Sequence, residues 1–178
     1  MLLMVSFALL GCGGDAAEST NGQTAATGGS ASVSGSNIPA PMQAFADDGN
    51  VAEIVLEGND LIRYSIDSFS VEPGQMVRIT LNHVGSLPAQ AMGHNVVVLQ
   101  MGEDVFEFGA DVGQQGGSAA DDFVPESLRD RVLAFTAMIG GGQSATVEFQ
   151  APQEPGEYPF LCSFPGHFGQ MNGVMVVG

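Results

Sequence analysis

From about residue 51 onward, hydrophobic and polar positions alternate in short runs broken by turn residues. Val77, Ile79 and Leu81 are separated by Arg78 and Thr80, and Val147 and Phe149 by Glu148. A period of two sends successive side chains to opposite faces and so predicts half-buried β-strands. Residues 51–57 and 62–70 read as two earlier strands joined at Gly58-Asn59-Asp60, and residues 145–150, 158–162 and 173–177 as later ones. Val96-Val97-Val98-Leu99 does not alternate, which predicts a strand buried on both faces. Glu72-Pro73-Gly74-Gln75, Gly140-Gly141-Gly142 and Pro155-Gly156 are turn signals. About seven to eight short strands at this spacing predict an all-β, antiparallel Greek-key sandwich or barrel. Residues 103–130 break the pattern: they carry eight of the twenty carboxylates with Gly-rich pieces and no alternation, and predict an insertion with one or two short helices.

The N-terminal third has neither period. Residues 1–12 form an apolar run too short to cross a bilayer but of the right length for the core of an export signal. Its end, Leu9-Leu10-Gly11-Cys12, resembles the lipobox of bacterial lipoproteins, which implies cleavage before Cys12 and lipid attachment to it. Residues 13–45 are rich in Gly, Ser, Ala and Thr and predict a flexible tether, with an end-to-end reach of about 30 Å. Residues 46–178 are then one globular domain, exported and held at a membrane by Cys12, in the periplasm or at the cell surface.

Charge narrows the range of partners. The 178-residue chain carries a formal charge of −16, and its four basic residues are all arginine. A surface this acidic excludes nucleic acid, whose phosphates need a basic footprint, and suits a basic protein partner. The two cysteines, Cys12 and Cys162, stand in unrelated contexts, so no disulfide is expected.

The chemistry concentrates in Cys162-Ser163-Phe164-Pro165-Gly166-His167-Phe168-Gly169-Gln170-Met171, which gathers a thiol, an imidazole and a thioether in one loop. Taken singly, a Cys is a small buried hydrophobe and a Met a core filler. As a set they are soft donors that select copper over calcium or magnesium. Pro165-Gly166 predicts a tight turn that lets Cys162 and His167 converge. The loop needs a further donor, and His94, in Met92-Gly93-His94-Asn95 at the start of the buried strand, is placed to supply it. Two His, one Cys and a distant Met match the donor pattern of blue-copper electron-transfer sites.

At these residues the sequence resembles the azurins, a blue-copper family of cupredoxins. The likeness covers nearly all the globular part, through Leu87-Pro88, Met92-Gly93-His94-Asn95, Arg131-Val132-Leu133-Ala134 with Ile139-Gly140, and Cys162 to His167 with Met171-Asn172-Gly173. It implies one copper ion cycling between Cu(I) and Cu(II), with His94, Cys162 and His167 as equatorial ligands, Met171 axial and the carbonyl of Gly93 a weak fifth contact. Asn95 and the backbone N–H of Phe164 would donate hydrogen bonds toward the Cys sulfur and tie the ligand loops together. His83 matches a family histidine near the copper that does not bind it. Electrons would pass through His167, within an apolar docking patch of Ile62, Leu87, Met92, Phe164 and Phe168. An acidic electron carrier would fit a basic redox partner such as a c-type cytochrome, or a membrane redox complex. Val96 stands where the family has Trp, and the family's disulfide has no cysteine pair here.

Rival readings fare worse on the residues. Enzymes of related copper chemistry place His beside the Cys, whereas Leu161 and Ser163 flank Cys162. A catalytic Cys-His pair leaves His94 and Met171 without a role, and a structural zinc site has little use for a thioether. The alternative that stays open is a copper carrier or storage protein without a redox role.

Overall fold

A computed structural model describes residues 50–178; the export segment, Cys12 and the 13–45 tether lie outside the described residues. Among the described residues, nine strands build two sheets. β1 (Val51–Asn59), β2 (Arg63–Tyr64), β4 (Met76–His83) and β7 (Ser144–Gln150) form one, in the order β2-β1-β4-β7. β3 (Ser68–Val71), β5 (Val97–Leu99), β6 (Val132–Phe135), β8 (Gly156–Leu161) and β9 (Asn172–Val177) form the other, in the order β3-β9-β8-β5-β6. The chain crosses from sheet to sheet, as in an all-β sandwich of Greek-key type.

The alternation that predicted the strands is the alternation that packs them. Along β4 the inward Val77, Ile79 and Leu81 are fully buried while Arg78, Thr80 and Asn82 are half-buried on the other face. Phe69, Val71, Phe160, Met175 and Val177 from the second sheet meet them in one core. β5 is buried on both sides because it serves two cores: Val96 and Val98 face the sandwich interior, and Val97 and Leu99 face a second cluster outside it.

That second cluster explains residues 103–130. Asp104 opens helix α2 (Val105–Gln114) by accepting the backbone N–H groups of Phe106 at 2.8 Å and Glu107 at 2.9 Å. One face of α2 then lays Phe108 and Val112 on Val97, Leu99, Leu161 and Phe135, joined by Leu128 from the second of the two 3-10 turns that follow, Ala119–Asp121 and Glu126–Arg131, and by Val124 from the link between them. Arg131 fastens the helix down: it bonds Glu103 at 2.5 Å and Asp111 at 2.7 Å while its guanidinium lies 5.2 Å from the centre of the Phe108 ring. Part of the acidic character of the insertion is therefore committed to this clamp.

Two expectations change. The stretch 62–70 is not one strand: β2 pairs with β1 only at Gly58↔Tyr64 and Asn59↔Arg63, after which the chain crosses to the other sheet as β3. The sandwich is also not wholly antiparallel, since β1 runs parallel to β4 and β3 parallel to β9. Periodicity reports which face a residue takes and carries no information on strand direction. A further short helix, α1 (Ala89–Met92), follows Pro88 and leads into Gly93-His94.

Truncating Phe108, which is fully buried between α2 and the second sheet, is expected to cost about 3–5 kcal/mol. Chemical unfolding of Phe108→Ala should read this directly, and a loss below about 1 kcal/mol would mean the second cluster contributes little.

Candidate metal centre

The thiol of Cys162 lies where both ligand segments end, at one end of the sandwich. Cys162 follows directly on β8, and its backbone N–H bonds the carbonyl of Met171 across the loop at 2.9 Å. Between them, Phe164-Pro165-Gly166-His167 closes the expected tight turn: the His167 N–H reaches the Phe164 carbonyl at 3.0 Å, and Gly166 takes φ +82°, a conformation glycine adopts without a Cβ clash. On the other side, His94 is pinned to Ile139 by a reciprocal pair of backbone bonds of 2.9 Å.

These pieces bring three buried donors together. Nδ1 of His167 lies 3.6 Å and Nδ1 of His94 3.8 Å from Cys162 Sγ, and the three ligand atoms all lie within 4.8 Å of one another. The Gly93 carbonyl is 3.7 Å from the same sulfur. Met171 is fully buried, and its Cε and His94 Cδ2 each lie 2.9 Å from where a Cβ on Gly58 would sit, so both side chains press on this glycine. His94 turns Nδ1 toward the thiol because Nε2 donates to the Asn59 carbonyl at 2.9 Å, which fixes the tautomer. His83 stacks on His94, with ring centres 4.3 Å apart, but has no nitrogen to offer: Nδ1 accepts the Gly85 N–H at 3.1 Å and Nε2 donates to the Met92 carbonyl at 2.8 Å.

Asn95 ties the two ligand segments. Its side-chain carbonyl accepts the Ser163 N–H at 2.9 Å, and its amide donates to Ser163 Oγ and to the Asp122 carbonyl, both at 2.8 Å. The backbone N–H groups of Asn95 and Phe164 bear on the Cys162 sulfur and oppose the effect of burial, which pushes the thiol up to about 12. Burial lowers His94 and takes His167 down to about 4, with the neighbouring imidazoles adding to the effect. A soft cation compensates both costs, since it binds thiolate and neutral imidazole.

Of the apolar positions expected around His167, Leu87 is 40% exposed, while Ile62, Met92, Phe164 and Phe168 are half-buried. Phe164 lies against His167, with ring centres 4.6 Å apart, and Phe168 packs on Gly109 of α2 beside the exposed Phe106. Leu61, 75% exposed, and Val84, 56% exposed, also stand on the loops next to Asp60 and His83 and were not singled out from the sequence. Gly58 and the Asn59 carbonyl were missed too; a glycine and a backbone oxygen carry no residue-type signal for a metal site.

A two-sheet sandwich with a buried Cys and two His converging at one end defines a single-copper cupredoxin. Residues 51–178 match the family described as copper binding proteins, plastocyanin/azurin family, and the chain belongs to it. The azurin of Alcaligenes faecalis is 36% identical over 131 residues, covering 71% of this chain and 98% of that azurin. Outer membrane protein H.8 of Neisseria meningitidis serogroup B is 39% identical over 131 residues, 70% of this chain and 66% of that protein. Among solved structures, the azurin iso-2 of Methylomonas sp. strain J superposes with a TM-score of 0.62 at 31% identity, over 71% of this chain and 98% of that one. The reduced auracyanin of Roseiflexus castenholzii gives 0.60 at 33%, over 72% and 97%. The donor set fits one copper ion, and cluster and family together mark the chain as a blue-copper electron carrier.

The depressed imidazoles make the copper-free protein acid-sensitive. An unfolded His protonates near about 6.5, whereas His167 in the fold resists protonation down to about 4. Stability present above about 6.5 is thus lost as pH falls toward about 4. The thermal midpoint of the copper-free protein should drop by roughly 4 °C or more between pH 7 and 5, and less in His167→Gln. Equal drops in both would assign the effect to other groups.

Proposed function

We propose that this protein is a tethered one-electron carrier working outside the cytoplasm, in which His94, Cys162 and His167 would hold one copper ion, with Met171 and the Gly93 carbonyl as weaker donors beside it. The observation that carries the reading is the single thiol set between two imidazole nitrogens, buried in a member of the copper-binding family. Bound there, copper supplies a Cu(I)/Cu(II) couple. The chain's own residues do the rest. Asn59 holds the His94 ring, Asn95 holds Ser163 next to the thiolate, and the N–H groups of Asn95 and Phe164 stabilise its charge. Donors held this firmly rearrange little when an electron arrives, which keeps transfer fast.

Electrons enter and leave at His167, through the apolar surface of Ile62, Leu87, Met92, Phe164 and Phe168. A patch of modest size suits brief docking rather than a lasting complex. An acidic carrier of charge −16 fits a basic redox partner such as a c-type cytochrome, or a membrane redox complex. Domain 46–178 is carried by the 13–45 tether on a lipidated Cys12, a reading supported by the sequence around Cys12 and by the likeness to a protein named as an outer membrane protein.

Adding Cu(II) to the full chain in detergent should give an intense blue charge-transfer band that ascorbate bleaches reversibly. A colourless complex would favour copper storage or transport instead. Cys162→Ser should abolish the band and His83→Gln should keep it, since both His83 nitrogens are taken; loss of the band in His83→Gln would overturn the ligand assignment. In the producing cell, labelled fatty acid should appear on the wild type and not on Cys12→Ala, and an unlabelled wild type would remove the anchor.

A further inference from the structure

Tyr64 occupies a place the copper chemistry has not yet used. It lies in β2, the two-residue edge strand of the first sheet, yet its side chain reaches the second. Its hydroxyl donates a 2.5 Å hydrogen bond to the backbone carbonyl of Asn95. Its ring lies 5.6 Å, centre to centre, from Phe160, which is fully buried in β8 two residues before Cys162. One side chain thus touches both segments that carry copper donors. Tyr64 is itself held: it pairs with Gly58, and next to it Ser65 exchanges two 2.9 Å bonds with Glu57, donating from its N–H and accepting at its hydroxyl.

The atom that Tyr64 holds is the informative one. The backbone N–H of Asn95 favours the Cys162 thiolate, and its side chain is taken up by Ser163 and Asp122. The next N–H, on Val96, is fixed to Thr136 Oγ1 at 3.0 Å. The Asn95 carbonyl is the remaining handle on that residue, and Tyr64 takes it. Phenylalanine would keep the ring on Phe160 and supply no hydroxyl, so packing and hydrogen bond are separable at this position.

We propose that Tyr64 is a positioning residue for the copper site: its hydroxyl, bonded to the Asn95 carbonyl, keeps the Asn95 N–H aimed at the Cys162 sulfur and thereby sets the reduction potential. A hydrogen bond to a thiolate draws electron density from sulfur and weakens its donation to Cu(II) more than to Cu(I), so it favours the reduced ion. Loosening Asn95 reverses this and favours Cu(II). The proposal rests on Cys162 being the copper thiolate.

The test compares full-length wild type and Tyr64→Phe. In the copper-free proteins, exchange of the Asn95 amide hydrogen should speed up about five-fold, the equivalent of one ordinary hydrogen bond, while the Val147 amide in β7 stays unchanged. In the copper-loaded proteins, the equilibrium constant for reduction by a fixed mediator should fall by about three- to ten-fold, and the blue band should shift. For an opposite displacement, 3-fluorotyrosine, a stronger donor, is incorporated in a Tyr158→Phe background; the Tyr158 hydroxyl bonds the Glu154 carbonyl, outside the site. There the constant should rise. Wild-type exchange and potential in Tyr64→Phe, or displacements of the same sign in both proteins, overturn the proposal. A wild type without a blue band would instead overturn the assignment of Cys162, and the exchange result would still judge the role of Tyr64. Should Tyr64→Phe not fold, the fluorotyrosine arm decides alone: an unchanged constant there overturns the proposal.

Discussion

Taking a thiol and two imidazoles out of water is costly unless each meets a fixed partner, and the layout of this protein follows from that requirement. Burial opposes charge on all three groups, so the fold supplies neutral hydrogen bonds that orient the rings and dipoles that favour the thiolate. Among the described residues no buried side-chain nitrogen or oxygen is left without a partner. The site is therefore a closed polar network set into an apolar sandwich, and a change to one member is felt by the others.

Three separate regions complete that network. The β1–β2 hairpin provides the surface of Gly58 beneath His94 and Met171, the Asn59 carbonyl on His94, and Tyr64 on Asn95. The acidic insertion provides Asp122, whose backbone carbonyl receives the Asn95 amide and whose carboxylate accepts the Met138 N–H at 2.8 Å. It also places the Phe123 ring 5.3 Å from Phe164. The insertion thus works on both sides of β5: it covers Val97 and Leu99 from without, and braces the end of the strand where the ligands converge.

The parts legible in the sequence are those where residue type carries the chemistry. Cys162 and His167 announce soft-metal donors within one loop, Pro165-Gly166 announces the turn between them, and the alternation of Val77, Ile79 and Leu81 announces the buried face of β4. The apolar run at Val96 to Leu99 revealed burial on both faces without revealing what covered the second; that needed α2 in place. Strand direction and the split of residues 62–70 between sheets are set by pairing across the chain, which local pattern does not encode. Asn59 acts through a backbone oxygen, which any residue type supplies, and Gly58 through a missing methyl, which signals a close approach but not a metal site. Tyr64 reads from sequence as an ordinary strand aromatic, and only the 2.5 Å contact separates it from one.

The Asn59 bond to His94 has one more consequence. Because protein hydrogen bonds aim the donors, the shape of the site is a property of the folded chain, and a rigid Cys-His-His pocket admits other soft or borderline ions of similar size. Zinc(II) is the obvious competitor, and affinity order alone places copper(II) above it. Zinc has no second oxidation state to offer, so a molecule that took zinc first would be folded, stable and electrically silent. What fraction of the protein can carry an electron is then decided by which metal the compartment delivers, before any partner docks.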